Sequence, residues 1–340
     1  MKRILILWLA MGIAAAPAFS GVVKKTKADV TFKGFGRLTT ARSEKLIADR
    51  MWVDSQNDFK GQGFLGGLAG KTILRPGNSG EIVNLPELTV FKLDPKKKEY
   101  TVGPIKKLSE ETKGEEAKSQ GETQPSEERQ SDIKITRSEF KVEDTGETST
   151  INNFPVKKYT VNWLTEWENV QTGEKGTNQL TTVVWATPIS ETLAQAQAEE
   201  MKFSREYLKA IGLNTDQLQQ EILGTSWMSM LDSMNKAKGK PTPDSSTYAS
   251  ELSKIKGYPV VVDGQYFVTA QNPQGEAQPS EDKSSKSLLG GLAKKVMKKK
   301  PAAEEGKEPA LSYHTELVEI SLADLSAADF QVPPDYKKKG

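Results

Sequence analysis

The chain has 340 residues, with 47 basic residues against 45 acidic ones, and the two extra cations are Lys2 and Arg3, so residues 21–340 are balanced in charge. That balance removes the electrostatic case for a nucleic-acid partner, and the absence of cysteine removes disulfides, thiolate nucleophiles and cysteine-bound metals. Hydrophobic residues make up 36%, a low value for a globular chain, and much of the deficit lies in two charged segments.

Met1 to Ser20 reads as a cleavable signal peptide. Lys2 and Arg3 precede an apolar run, Ile4 to Ala16, and Ala18-Phe19-Ser20 places small residues before Gly21. No cysteine follows for a lipid anchor, and no second apolar run follows for a membrane span. The expected product is a soluble periplasmic protein, with release from the cell as the alternative.

From residue 28 onward, apolar residues alternate with polar ones in short segments separated by Gly, Pro, Asn and Asp. Strands are expected over Ala28–Thr40, Lys45–Val53, Gly80–Asn84, Leu88–Leu93 and Glu99–Val102, with Asp94-Pro95 turning the chain before Tyr100. The stretch Gly61 to Thr72 ends in Gly-Lys-Thr, but a phosphate-binding loop needs glycine at 65, where Leu65 stands. Residues 106–132 carry almost no apolar side chain and read as a disordered insertion. Strands resume at Ile133–Val142, Val156–Trp167 and Asn178–Ala186. In the second of these, Tyr159, Val161, Trp163 and Trp167 share one face, as in a half-buried antiparallel strand.

Ser190 is the expected N-cap of a helix that Gly212 stops. A second helix is expected over Asn214–Lys236, with Trp227 in its apolar stripe, and a third over Ser245–Lys256, ended by Gly257. Tyr258–Thr269 reads as strand pattern crossing an Asp263-Gly264 turn, and Leu311–Ser321 as the last strand. Residues 271–309 form the second expected disordered insertion. Within it, Leu288, Leu289, Leu292 and Val296 would share one helical side with Lys294, Lys295, Lys298 and Lys299 around the other, the pattern of a helix lying on a membrane surface. The alternative is a solvated charge run. Leu288 to Ala293 also echoes Phe64 to Ala69.

His314 is the only histidine, so no two-histidine metal site can form, and its strand context lacks a nucleophile elbow. No pair of carboxylates stands out as acid and base. The sequence therefore predicts no catalytic residue, no metal and no cofactor.

Ile82-Val83-Asn84, with Val90 through Thr101, resembles the strand–turn–strand signature of exported bacterial domains related to the lipoprotein carrier LolA. Asn153 to Tyr159, Val184 to Thr187 and Phe330 to Lys337 resemble later segments of one uncharacterised branch of that group. The resemblance spans most of residues 21–340 outside the two insertions. It implies a single α+β domain: a curved antiparallel sheet, the LolA-like half-barrel, covered by helices and able to enclose an apolar cavity. It also implies an acyl chain or lipid as partner, with Tyr159, Val161, Trp163, Trp167, Trp185 and Trp227 as lining residues. Plain core packing is the alternative for those aromatics. The expected function is non-enzymatic binding of a hydrophobic ligand. The alternative is a cell-envelope interaction protein with a filled core, whose charged loops contact a protein or an anionic polymer.

Overall fold

The computed structural model describes residues 21–63, 76–107, 133–212, 250–271 and 308–339. The signal segment, most of both insertions, Trp227 with its expected helix and the basic stretch 287–300 lie outside the described residues.

Twelve strands form one sheet: β1 (Gly21–Phe32), β2 (Gly36–Ile47), β3 (Arg50–Gly61), β4 (Gly77–Asn84), β5 (Thr89–Asp94), β6 (Glu99–Pro104), β7 (Ile133–Ile151), β8 (Phe154–Asn169), β9 (Lys175–Thr187), β10 (Tyr258–Gln271), β11 (Leu311–Ala323) and β12 (Lys337–Lys338). Their spatial order is β12-β6-β5-β4-β3-β2-β1-β11-β10-β9-β8-β7. All neighbours are antiparallel except β6 and β12, which are parallel. One long helix, α1 (Glu191–Ala210), crosses β1, β2 and β11, and a helical turn ends at residue 252.

This overturns the expected α+β fold with a LolA-like half-barrel covered by helices. The molecule is predominantly one large mixed sheet, because nearly every described segment of alternating polarity extends into a strand, several of them 12 to 19 residues long. The helix α1 covers only part of the sheet.

Three apolar clusters take in helical side chains, and the one under α1 that contains Val83 marks the helix-bearing face. Phe140, Val142, Tyr159, Val161, Trp163, Leu180, Val184 and Tyr313 pack with Leu252 and Ile255. Val22, Leu46 and Val83 receive Ala196 and Phe203 of α1, while Val156, Tyr258, Val260 and Leu317 receive Leu193. A fourth cluster lies on the opposite face, since Ile82 and Val83 are sequence neighbours in a strand. There Leu325, Phe330, Val332 and Tyr336 of the C-terminal segment, which includes a 3-10 turn at Ala327–Phe330, cover Ile82, Leu93, Trp52 and Phe91. A single 3-10 turn and its flanking coil thus do on that face what longer helices were expected to do.

Three local expectations change. Ala28–Thr40 is not one strand: the chain turns at Lys33 to Phe35, where Gly34 has φ 72° and Gly36 φ 146°, conformations that glycine adopts without strain. Lys45–Val53 likewise splits between β2 and β3. Asp263-Gly264 is not a turn, and β10 runs straight through it. The ring of Tyr313 crosses Gly264 to place its hydroxyl 2.9 Å from Thr182 Oγ1 on the next strand, and a Cβ at residue 264 would stand 2.2 Å from Tyr313 Cζ. Glycine here makes room rather than a bend.

Candidate functional site

An apolar cleft of about 350 Å³ opens where the sheet meets the first turn of α1. Its walls are Phe154 and Pro155 of β8, Thr187 at the end of β9, the connector Pro188-Ile189, Ser190, Thr192 and Leu193 of α1, and Ile320 of β11. No titratable side chain lines it. The volume is at the lower end of the roughly 300–1,000 Å³ of small-molecule pockets.

Local sequence builds each wall. Asn152 and Asn153 both take positive φ, 49° and 66°, in the tight turn that delivers Phe154. Asparagine tolerates that region better than other non-glycine residues, and the flanking strands need such a turn. The Asn152 amide donates to Glu316 Oε1 at 2.7 Å and to the Leu317 carbonyl at 2.9 Å, fixing the turn against β11. Pro188 lacks the N–H that would extend the β9 ladder. Ser190 then caps α1 by accepting the Leu193 N–H at 3.2 Å, as its position in the sequence predicts. Ile189 precedes the cap, where an apolar residue packs on the fourth helical position when that residue is large enough. The fourth position is Ala194, and Ile189 stays 44% exposed at the mouth of the cleft.

Two turns along α1, a polar cluster holds the helix to the sheet. The Lys24 ammonium donates to Glu200 Oε1 at 2.5 Å and lies 3.8 Å from Glu44 Oε2. The Tyr258 hydroxyl donates to the same Glu200 carboxylate at 3.0–3.1 Å, and Arg42 Nε approaches Glu44 at 3.4 Å. Burial works against the Lys24 charge, but Tyr258, Glu200 and Glu44 outweigh it, so the ammonium titrates above its ordinary range. Burial also pushes the Tyr258 phenol up; Lys24 opposes this, and Glu200 adds to it.

The sequence-chosen lining residues divide. Tyr159, Val161 and Trp163 come together, fully enclosed in the large cluster beneath β7–β11, and none of them lines the cleft. Trp167 packs over Gly176, where a Cβ would stand 2.2 Å from the indole. Trp185 joins the cluster beside Leu193 and lies under the Lys158 ammonium, which is 5.7 Å from its ring. Trp227 and Leu288, Leu289, Leu292, Lys294, Lys295, Val296, Lys298 and Lys299 lie outside the described residues. His314 sits on an exposed face with Nδ1 3.1 Å from Asp263 Oδ2.

Sequence reasoning missed the cleft residues, Phe154, Pro155, Ile189, Leu193 and Ile320. One signal was legible: an isoleucine before a helix cap, with only alanine at the fourth helical position to pack on. The other walls depend on which strands become neighbours.

No protein-family model matches this chain, and no match was found among curated proteins.

Proposed function

We propose that this protein is a non-enzymatic binder of a hydrophobic ligand, a lipid or acyl chain, seated in the cleft between Phe154, Ile189, Leu193 and Ile320. The observation that carries this reading is the apolar lining of that cleft, open to solvent and free of ionisable groups. Methylenes entering it would gain about 0.8 kcal/mol each from leaving water. The cleft ends at the first turn of α1, so outward movement of that turn would lengthen it along Leu193. The signal-like start supports a periplasmic setting for that ligand.

The test uses the full chain purified from its host without detergent, analysed by native mass spectrometry and lipid extraction, and then titrated with fatty acid. Binding at defined stoichiometry, lost in Thr192→Trp, which fills the cleft from the exposed side of α1, is the expected result. A chain that carries and takes up no lipid overturns it.

A second reading has its own observation. The interior beneath β7–β11 is filled by aromatic and aliphatic side chains, which suits an envelope interaction protein that presents its surface rather than a cavity. Absence of lipid, together with co-purification of a stable partner protein at fixed ratio, would favour it.

A further inference from the structure

The parallel pairing of β12 with β6 brings together two lysine runs that lie about 240 residues apart in the sequence. Lys96, Lys97 and Lys98 occupy the β5–β6 turn, and Lys337, Lys338 and Lys339 follow the C-terminal clasp, with Lys337 opposite Glu99 and Lys338 opposite Tyr100. The Lys337 N–H donates to the Lys98 carbonyl at 2.9 Å, and the Lys339 N–H to the Tyr100 carbonyl at 2.8 Å, so the second run is held by backbone and not left as a free tail. All six side chains are exposed.

Carboxylates neutralise only part of this corner. Asp335 pairs with Lys98 at 2.8 Å and Asp94 approaches Lys97 at 3.6 Å. Among the described residues, Lys96, Lys337, Lys338 and Lys339 make no ion pair. In a chain whose charges balance overall, this corner is a local concentration of fixed positive charge, with six lysines against Asp94, Glu99 and Asp335. Beyond the two residues that β12 covers, β6 is an open edge strand carrying the exposed side chain of Val102.

We propose that this corner docks the protein on an anionic lipid bilayer, the lysines lying against headgroup phosphates and Val102 reaching the interface. Three features favour a bilayer over other polyanions. Every cation is lysine, a point charge suited to a diffuse negative surface; arginine, the residue suited to forked recognition of one phosphate or carboxylate, is absent from the corner. The neighbouring rings of Tyr100 and Tyr336 are packed against the cluster around Phe330, so no aromatic platform is offered to nucleic-acid bases. An apolar side chain sits at the same edge, where a soluble polyanion would give it nothing to enter.

The test is co-sedimentation of the full chain with vesicles of phosphatidylglycerol and phosphatidylcholine, compared with pure phosphatidylcholine. Three variants with unchanged melting temperature are needed: Lys96→Glu/Lys338→Glu/Lys339→Glu at the corner, Lys294→Glu/Lys295→Glu/Lys298→Glu/Lys299→Glu in the central basic stretch, and Thr192→Trp in the cleft. The proposal expects binding to the anionic vesicles only, weakened strongly by salt, reduced tenfold or more by the corner variant and retained by the cleft variant. Neutralisation by Lys96→Gln/Lys338→Gln/Lys339→Gln gives a smaller loss in the same direction. Unchanged binding by the corner variant, binding to neutral vesicles with equal strength, loss in the central-stretch variant alone, or no binding by the parent chain overturns it. Because the cleft variant is scored separately, failure here leaves the ligand reading standing.

Discussion

Lys24 of β1 reaches Glu200 of α1 across 2.5 Å, with about a fifth of each side chain still exposed (20% and 22%). Glu200 lies on the same stripe of α1 as Leu193, Ala196 and Phe203, where a charge is tolerable only because Lys24 and Tyr258 meet it. Glu200→Ala leaves Lys24 with only the more distant Glu44 and is expected to cost about 2 kcal/mol, below the 3–5 kcal/mol of a fully buried pair because water still reaches both groups. Urea unfolding checks it, with Glu206→Ala as control: its pair with Lys209 is exposed and is expected to contribute under 0.5 kcal/mol. Equal effects at the two positions would refute the role given to Glu200.

Alkali should unfold the protein through its phenols. Burial pushes Tyr266 up to about 12. It does the same for Tyr313, also about 12, where the Thr182 hydrogen bond pulls down and Asp263 pushes up. A tyrosine in the unfolded chain titrates near 10. A raised native value means that the protonated phenols stabilise the fold fully below about pH 10, and that this contribution drains away as pH rises towards 12. Tyr258 and Lys24 act with the same sign. The urea midpoint is expected to fall over that window, and to fall less steeply in Tyr266→Phe. An identical slope in the variant would exclude Tyr266 as a contributor.

Gly264→Ala is expected to destabilise by about 1–3 kcal/mol, because the new methyl group would meet the Tyr313 ring in a packed interior. Tyr313→Leu in the same chain should return part of that loss, although each change alone is harmful. Strictly additive effects in the double variant would show that the ring is not what excludes a Cβ.

Phe330 is 4% exposed and anchors the C-terminal segment on Ile82 and Leu93. Phe330→Ala should cost about 3–5 kcal/mol. Its distinguishing effect is spatial: amide exchange should quicken in β4, β5 and β6 more than in β8 and β9. Uniform acceleration across the sheet would argue against a local clasp.

Strand pattern, helix cap and turn chemistry were legible wherever the deciding residues lie close in sequence. Ser190 capping α1, Gly212 following it with φ 80°, and the alternation of Tyr159, Val161 and Trp163 are local facts, and the structure bears them out. What was not legible depends on distant partners. Nothing near Gly264 announces that Tyr313 will cross it, and Asp-Gly alone carries the chemistry of a turn. Lys24 reads as a surface cation on an alternating strand until Glu200 arrives over it. The C-terminal segment has too few apolar residues to read as a cover, yet Leu325, Phe330, Val332 and Tyr336 form one, and Gly21 lets Leu325 approach closely: a Cβ there would stand 2.7 Å from it. The helix-covered fold was over-read for the same reason, since an apolar stripe says that something must cover it and not how much of the sheet it will span.

The pairing of β1 with β11 joins Gly21 to Ala323 and Phe32 to Leu311. The first six strands can therefore assemble as a meander early in synthesis, but they hold out a twelve-residue edge whose partner is translated almost 280 residues later. During that interval the edge is a template for the wrong chain, and Lys24, Lys25 and Lys27 along it are the kind of charge that deters such pairing. Among the described pairings, this seam joins the residues furthest apart in sequence, which should make its closure the slow step of folding and the one through which aggregation competes.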